Sequence, residues 1–350
     1  MQARSPLLPR GRTSGRLLAV LVTGIVVSAC VPIVTGPPPP PEYGPNPPVH
    51  ATDFPDPMVT NVDAAFAAYS TNRSLLRVPT AASTDLHAWT ESADDALTED
   101  PAWTSGSFGY FWAPAAHQFG ATWVLYFTAR HPSTSQCIGL ATATDPAGPF
   151  EPADDPLVCQ TGLGGSIDPS VFVDPVGDPW LLWKNDGNCC PGLSVHLWSQ
   201  RLSADGLSLV PGTPNQLLGV SQTWEDGSSG GQQPWKRLIE APAMVHADGT
   251  YWLFYSGNWW DGVNYAVGYA KCTNPAGGCT KPRDGPILKG SLQGAGPGGA
   301  EIITGGGGQP WLVYHAWAFS NVGYSTGGSR TMRLSALTFA NGEPVLGASP

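Results

Sequence analysis

Few stretches of this chain are long enough for a helix and free of glycine or proline, because its 350 residues include 43 Gly and 36 Pro. This excludes a protein built from long helices. Short runs of Val, Leu, Trp and Tyr recur between turn signals, a pattern typical of strands. Only 13% of the residues are charged and 10% are aromatic, so apolar side chains suffice for one large core. We therefore predict an all-β domain.

Basic residues are also scarce, with 17 Lys and Arg against 27 Asp and Glu. Four of the arginines lie in the first 16 residues, ahead of the bulk of the chain. Binding to phosphate backbones requires a basic face, so the composition excludes nucleic acid as a partner. A neutral ligand is easier to reconcile with an acidic surface.

The one long apolar run, Leu-Leu-Ala-Val-Leu-Val-Thr-Gly-Ile-Val-Val at 17–27, is too short to span a bilayer comfortably. It follows the arginines and ends in Ser-Ala-Cys, which resembles a bacterial lipobox. We predict a signal peptide at 1–29 and lipidation of Cys30, which would anchor an exported protein to the outer face of the bacterial cytoplasmic membrane. The alternative is an ordinary signal peptide with a chance cysteine. Residues 30–50 are proline-rich and predict an extended linker, leaving 51–350 as the main folded domain.

Six further cysteines suggest disulfides in an exported protein. Local spacing favours the pairs Cys137–Cys159 and Cys272–Cys279. The adjacent residues Cys189 and Cys190 could form a vicinal bridge or stay reduced. Zinc binding is the competing interpretation, but no paired Cys-x-x-Cys or His-x-x-x-His spacing supports it.

An aromatic residue followed three positions later by Tyr or Trp recurs five times, about every 60 residues, as in propeller repeats. The second aromatics are Tyr69, Tyr126, Trp183, Tyr255 and Tyr314. Each unit resembles a strand, a tight turn and a second strand, so the repeat predicts a five-bladed β-propeller.

A proline stands near the start of four of these units, at positions 57, 114, 169 and 242. Proline is tolerated at the first residue of a strand, so the residue before it would lie at one mouth of the central channel. Those positions hold Asp56, Ala113 and Asp168, with Glu240 two residues before its proline. Three carboxylates from three blades would converge there, and such convergence is a functional signal. The alternative is that Asp-Pro merely forms turns.

Paired carboxylates suit glycoside hydrolysis, in which one acid protonates the departing oxygen and the other activates water or attacks the sugar. Carboxylates facing each other across a channel favour the wider spacing of the inverting mechanism. The segments Asp-Phe-Pro-Asp-Pro (53–57), 111–129, 138–150, 167–183 and 239–257 resemble glycoside hydrolase family 43. The resemblance implies a five-bladed propeller, inversion, and removal of arabinofuranosyl or xylosyl units. It also implies that Asp56 is the general base, in preference to Asp53.

By the same resemblance, Glu240 corresponds to the general acid, and Asp168 to the residue that tunes its pKa and orients it. His315 matches a family position, although its imidazole could equally be a core group. Many family members carry a histidine that helps to hold an axial cation where this chain has Gly299, so an axial calcium is in doubt and we predict no cofactor or metal.

Trp112 is the predicted sugar platform, with Trp259 and Trp260 as further aromatics near the mouth. His315 and Arg333 complete the predicted substrate-binding set. Arg330 and Arg333, both in the last blade, either face the channel or balance the acids. We predict a monomeric, lipid-anchored arabinofuranosidase or related hydrolase of arabinan, arabinogalactan or xylan, with specificity in the insert 184–238. The rival is a non-catalytic carbohydrate-binding propeller.

Overall fold

The computed structural model describes residues 42–105, 110–305 and 308–350. The predicted signal peptide, Cys30 and the linker up to residue 41 lie outside these residues. In the described part of the chain, no helix combines the length and apolar character needed to cross a membrane.

The strands form five antiparallel sheets, called blades 1 to 5 here in chain order. Blades 1 and 2 contain β1 (Met58–Val62), β2 (Ala65–Tyr69), β3 (Thr80–Ser83), β4 (Thr90–Glu91), β5 (Trp112–Phe119), β6 (Thr122–Arg130), β7 (Gln136–Ala143) and β8 (Glu151–Pro152). Blades 3 and 4 contain β9 (Ser166–Val173), β10 (Pro179–Asn185), β11 (His196–Arg201), β12 (Asn215–Gly219), β13 (Ile239–Ala247), β14 (Thr250–Gly257) and β15 (Ala266–Cys272). Blade 5 contains β16 (Ala295–Thr304), β17 (Pro310–Trp317), β18 (Arg330–Ala340) and β19 (Glu343–Leu346). Short 3₁₀ helices lie at Thr161–Leu163, Gly187–Cys189, Thr223–Glu225, Pro234–Lys236 and Tyr324–Thr326.

The first strands of the blades surround a central channel. Strands β1, β5, β9, β13 and β16 each contact the first strands of both neighbouring blades, and the contact between β16 and β1 closes the ring. The predicted all-β, five-bladed β-propeller is therefore confirmed. The radial arrangement turns the free edge of each inner strand toward the channel, where it is protected.

The aromatic repeat marks the packing between blades. All five second aromatics are at most 1% exposed. Each belongs to an apolar cluster shared with a neighbouring blade; Tyr126 and Trp183, for example, lie in the same cluster between blades 2 and 3. The repeat thus arises because every blade must bury the same face against the next one.

Three disulfides join the six cysteines of the propeller. The predicted bridges Cys137–Cys159 and Cys272–Cys279 are confirmed, and Cys189–Cys190 forms a vicinal bridge. The segment 184–238, expected to be a loop insert, contains strands β11 and β12 of blade 3. Only its last part, 220–238, is a long connection, and this explains the wider spacing between the third and fourth repeats.

Contacts with the propeller begin before the predicted domain boundary at residue 51. The backbone N–H of Tyr43 donates to the carbonyl of Ile287 over 2.8 Å. The side-chain amide of Asn46 donates to the carbonyls of Leu334 and Gly347, both over 2.9 Å. Proline-rich backbone can lie along a sheet edge, where missing N–H groups are tolerated, so residues 42–50 pack as part of the domain.

Candidate active site

A cavity of about 880 Å³ opens where the innermost strands begin, at one mouth of the channel. Asp56, Asp168 and Glu240 all line it, as does Trp112. The structure thus brings together the three carboxylates that the repeat placed at the mouth, each from a different blade.

The backbone repeats one conformation at this mouth. The entry residues Asp56, Ala113, Asp168, Ala241 and Gly299 have φ angles of 50°, 43°, 57°, 50° and 58°. Positive φ is uncommon outside glycine, so its recurrence at equivalent positions in all five blades marks a local turn that the fold imposes. The turn aims the side chain of each entry residue, or of its neighbour, at the channel axis.

Side chains from the preceding blade hold these entry residues in place. The backbone N–H groups of entry residues 56, 113, 168 and 299 donate over 2.9 to 3.2 Å to His315 Nδ1, Thr71 Oγ1, Thr128 Oγ1 and Ser256 Oγ, respectively. Blade 4 differs, because the N–H of Ala241 donates to Asp168 Oδ2 over 3.0 Å. Next to Glu240, the carboxyl group of Asp168 thus accepts the bond that a hydroxyl or an imidazole accepts at the other entries.

Asp56 lies beside a buried arginine. Arg330 Nη1 is 3.2 Å from both carboxylate oxygens of Asp56, and Thr71 donates to Oδ2 over 2.7 Å. Burial alone would raise the pKa of Asp56, but the charge of Arg330 and these hydrogen bonds hold it below its usual value. Asp56 is therefore a carboxylate at neutral pH, suited to accept a proton.

Arg330 is itself fixed by aromatic rings and a second acid. Its guanidinium lies 4.8 Å from the ring centre of Trp260 and 5.4 Å from that of Tyr324. Asp53 accepts hydrogen bonds from the backbone N–H of Arg330 and from the Tyr324 hydroxyl. Asp53, the other candidate base in the sequence, thus positions Arg330, and Arg330 in turn positions Asp56.

Glu240 has a different cation. Lys184 Nζ donates to Glu240 Oε2 over 2.9 Å, and the Tyr265 hydroxyl donates to Oε1 over 2.9 Å. The Lys184 side chain is 1% exposed and lies 3.7 Å from Asp186 Oδ1. Burial would lower the pKa of Lys184, but Glu240 and Asp186 more than offset this and raise it. The lysine is therefore charged.

Asp168 is the carboxyl that keeps its proton. Burial and the negative charge of Glu240 raise the pKa of Asp168 to about 8, although Lys184 opposes the shift. Asp168 is therefore protonated at neutral pH. The site thus holds an ionised Asp56 and a protonated Asp168 in one cavity.

Comparisons with known proteins agree with this geometry. The family model of glycosyl hydrolases family 43 matches residues 45–344. The chain belongs to that family. Family 43 is a family of glycoside hydrolases, and the family resemblance found in the sequence is confirmed.

Individual relatives of this family-43 chain are more distant. An extracellular endo-alpha-(1->5)-L-arabinanase 1 of Bacillus subtilis strain 168 is 28% identical over 59% of this chain and 61% of its own length. A probable arabinan endo-1,5-alpha-L-arabinosidase B of Aspergillus fumigatus is 32% identical over 39% of this chain and 40% of its own length. The matches thus span less than two thirds of either relative. A thermostable family-43 glycoside hydrolase of known crystal structure has a TM-score of 0.75 and 26% identity, covering 88% of this chain and 97% of its own.

Two predicted substrate contacts of this family-43 chain lie elsewhere. His315 is fully buried behind Asp56, and burial, together with Arg330, lowers its pKa to about 3. Its Nδ1 accepts the Asp56 N–H, so its task is to position that residue and not to touch sugar. Arg333 lies outside the cavity and donates to the backbone carbonyls of Asn46 and Gln293. An odd separation from Arg330 along β18 places the two arginines on opposite faces of the strand, which is why only Arg330 reaches the acids.

The residues around Gly299 do not fit the axial cation of other family members. A Cβ at this position would lie 2.6 Å from Asp56 Oδ1 and 2.7 Å from the His315 ring, so no side chain has room there. His315 accepts at Nδ1, so in the neutral ring Nε2 carries the proton and offers no lone pair to a metal. Among the described residues, the cluster of His131, Cys137 and Cys159 has metal-like spacing, but both cysteines are in a disulfide. The absence of a metal stays a prediction.

Lys184 and Tyr265 were missed by reasoning from the sequence. Lys184 directly follows the repeat aromatic Trp183, where blades 4 and 5 carry Ser256 and His315. A lysine within a buried strand is unusual, and the equivalent residues of other blades contact the entry residues at the channel mouth. These two facts could have identified Lys184 as a site residue. Tyr265 lies outside the repeat, and no sequence pattern singled it out.

Proposed function

We propose that this family-43 enzyme hydrolyses α-L-arabinofuranosyl linkages in arabinan or related pentose-containing glycans, with inversion at the anomeric carbon. The observation that supports this best is that Asp56 and Glu240 line one cavity from different blades, each beside its own buried cation. This gives two carboxyl groups with separate electrostatic control, as a base and an acid require.

Asp56 is the general base in this proposal. Its low pKa keeps it ionised, and it removes a proton from the water that attacks the anomeric carbon. Thr71 and Arg330 fix the carboxylate by three hydrogen bonds, so the base is oriented before the substrate arrives.

Glu240 is the general acid. It donates its proton to the departing glycosidic oxygen from the other side of the sugar ring. Lys184 and Tyr265 then stabilise the carboxylate that remains. Asp168 tunes this acid, because the two carboxyl groups interact electrostatically within the cavity.

The names of the relatives and the aromatic lining of the cavity support the choice of sugar. Both relatives described above are named for arabinan cleavage, and a third, from Humicola insolens, is named a xylosidase/arabinosidase. Trp112 and Trp260, at the cavity wall, offer aromatic surface to the apolar face of a pentose. The extracellular Bacillus enzyme, together with the lipobox-like leader, supports export and anchoring through Cys30. No partner other than the glycan is needed for this reaction, so we propose a monomer.

The proposal is tested with the full chain, as wild type and Glu240→Gln, incubated with arabinan, arabinogalactan and xylan oligosaccharides. Proton NMR identifies the anomer that is released first. The control is Glu225→Gln, because Glu225 makes an equivalent pair of contacts, with Lys281 at 2.6 Å and Tyr255 at 2.8 Å, outside the cavity.

We expect wild type and Glu225→Gln to release an inverted arabinose, and Glu240→Gln to lose at least about a thousandfold in rate. Glycan binding without release by wild type would refute the hydrolase and favour a carbohydrate-binding propeller. Release with retention would refute the assignment of Asp56 as a base.

A further inference from the structure

We propose that the vicinal disulfide Cys189–Cys190 and Trp235 form the binding site for the sugar unit on the leaving-group side of the scissile bond. This inference rests on the proposed hydrolase function and deepens it. Both cysteines are exposed, and both line the cavity that holds the three acids. Pro191 and Leu193, on the same segment, also line it.

The chemistry of this segment suits the apolar face of a sugar ring. A disulfide between adjacent residues carries no charge and no hydrogen-bond donor, and it closes a small ring that restricts the backbone. With a proline directly after it, the segment presents sulfur and carbon atoms to the cavity. Binding sites of this kind combine an apolar surface with a few polar groups, which the carboxyl groups nearby supply.

The loop that carries the disulfide is fixed at its base by a buried asparagine. Asn185 Nδ2 donates to the carbonyls of Leu163 and Ser194, over 3.0 and 2.8 Å. Its Oδ1 accepts from the backbone N–H of His196 over 2.8 Å and from Trp198 Nε1 over 2.9 Å. The two ends of the loop are thus tied together, and the disulfide is held on a rigid support.

Trp235 contributes a second wall. It lies in the 3₁₀ helix Pro234–Lys236, which contacts the 3₁₀ helix Gly187–Cys189. Trp235 is 45% exposed although it lines the cavity. A large aromatic ring that is left open in a substrate cavity is a candidate for stacking on sugar.

The position of this surface relative to the acids assigns it to the leaving group. Lys184, which holds Glu240, is the residue before the Asn185 anchor, and Trp235 lies five residues before Glu240 in the chain. Asp56 instead has Arg330, Tyr324 and Asp53 around it. In an inverting reaction, water and leaving group occupy opposite faces of the sugar. Because Glu240 protonates the departing oxygen, the departing sugar lies on the side of the disulfide.

The test compares two substrates that differ only in the leaving group, an α-1,5-linked arabino-oligosaccharide and α-L-arabinofuranosyl fluoride. Fluoride has no ring to bind, so its hydrolysis reports the reaction without this subsite. The variants are the double substitution Cys189→Ser with Cys190→Ser, and Trp235→Ala. The control is Cys272→Ser with Cys279→Ser, which removes a disulfide of blade 4 between buried Cys272 and half-buried Cys279, neither of which lines the cavity.

We expect both subsite variants to raise KM for the oligosaccharide about tenfold or more, while kcat/KM for the fluoride changes less than about twofold. The control variant should change the hydrolysis of the two substrates by the same factor. An equal loss on both substrates, or no loss on either, would overturn the assignment. If thermal unfolding shows that the double variant does not fold, the same comparison of the two substrates is made with Trp235→Ala alone. If wild type cleaves neither substrate, the proposed function itself is refuted.

Discussion

Replacing Lys184 with methionine should destabilise the protein and move the alkaline limb of its pH profile. The ammonium lies 2.9 Å from Glu240 and 3.7 Å from Asp186 and is almost fully buried. With an effective dielectric constant of about 20, the attraction at the shorter distance is about 6 kcal/mol. Removing the charge also removes its own desolvation cost, so we expect a loss of about 3–5 kcal/mol in the free energy of unfolding at pH 7.

The pH dependence follows from the sign of that charge. Lys184 favours the deprotonated form of the Glu240, Asp168 and Asp186 carboxyl groups. Without this cation, the carboxyl groups around it hold their protons to higher pH. The alkaline limb of kcat/KM, where the acid loses its proton, should therefore move up by about one unit or more. The loss of stability should be smaller at pH 5 than at pH 8, because protonation removes part of the uncompensated charge.

The assay is a pH series of kcat/KM on an arabino-oligosaccharide, together with urea unfolding at the two pH values. Lys281→Met is the matched control, because Lys281 is buried and paired with Glu225 at 2.6 Å away from the cavity. It should lower stability without moving either limb. If the alkaline limb of Lys184→Met stays at the wild-type pH or moves to lower pH, Lys184 does not control the protonation of the general acid.

Two further predictions concern the base. Gly299→Ala should lower both stability and kcat, because its φ of 58° strains an alanine by about 1–2 kcal/mol and the added Cβ would displace Asp56. Gly120→Ala, with a φ of 62° and open space around it, should lose stability only. Equal kcat values for the two variants, measured well below their unfolding temperatures, would contradict this. Arg330→Met should raise the pKa of Asp56 and so move the acid limb of kcat/KM to higher pH by about one unit or more; an unmoved acid limb would show that Asp56 is not the base.

The sequence predicted the convergence of the acids because a propeller repeats its geometry. Once the aromatic repeat set the period, the prolines identified where each inner strand begins, and Asp56 and Asp168 had to share a mouth. Positive φ at these entries reinforces the result, since the same turn aims each side chain. The same prolines led to Glu240, two residues before Pro242, and the family resemblance then implied its role as the acid.

The partners of the acids could not be predicted in the same way. Arg330 and Arg333 were not distinguished because the choice depends on the register of β18, which the sequence does not reveal. The role of His315 was ambiguous because a motif does not show whether a side chain is buried. In the structure its ring is fully buried next to Asp56 and does not reach the cavity. Trp235 and Tyr265 come from segments without a repeat, where three-dimensional proximity has no periodic signal. Asn46 lies in a proline-rich stretch whose composition predicted an extended linker.

The five entries of this propeller share a backbone, and the chemistry comes from the places where their side chains differ. Threonine, serine or histidine secures four entries through a neutral hydrogen bond. At the entry of blade 4, Lys184 of blade 3 takes the place of such a residue and reaches Glu240, while Asp168 accepts the bond from the backbone N–H. One substitution in the repeat therefore gives the acid its cation and fixes the carboxyl group that tunes it. On the opposite side, Arg330 lies against Asp56, so the base and the acid each have a buried cation of their own.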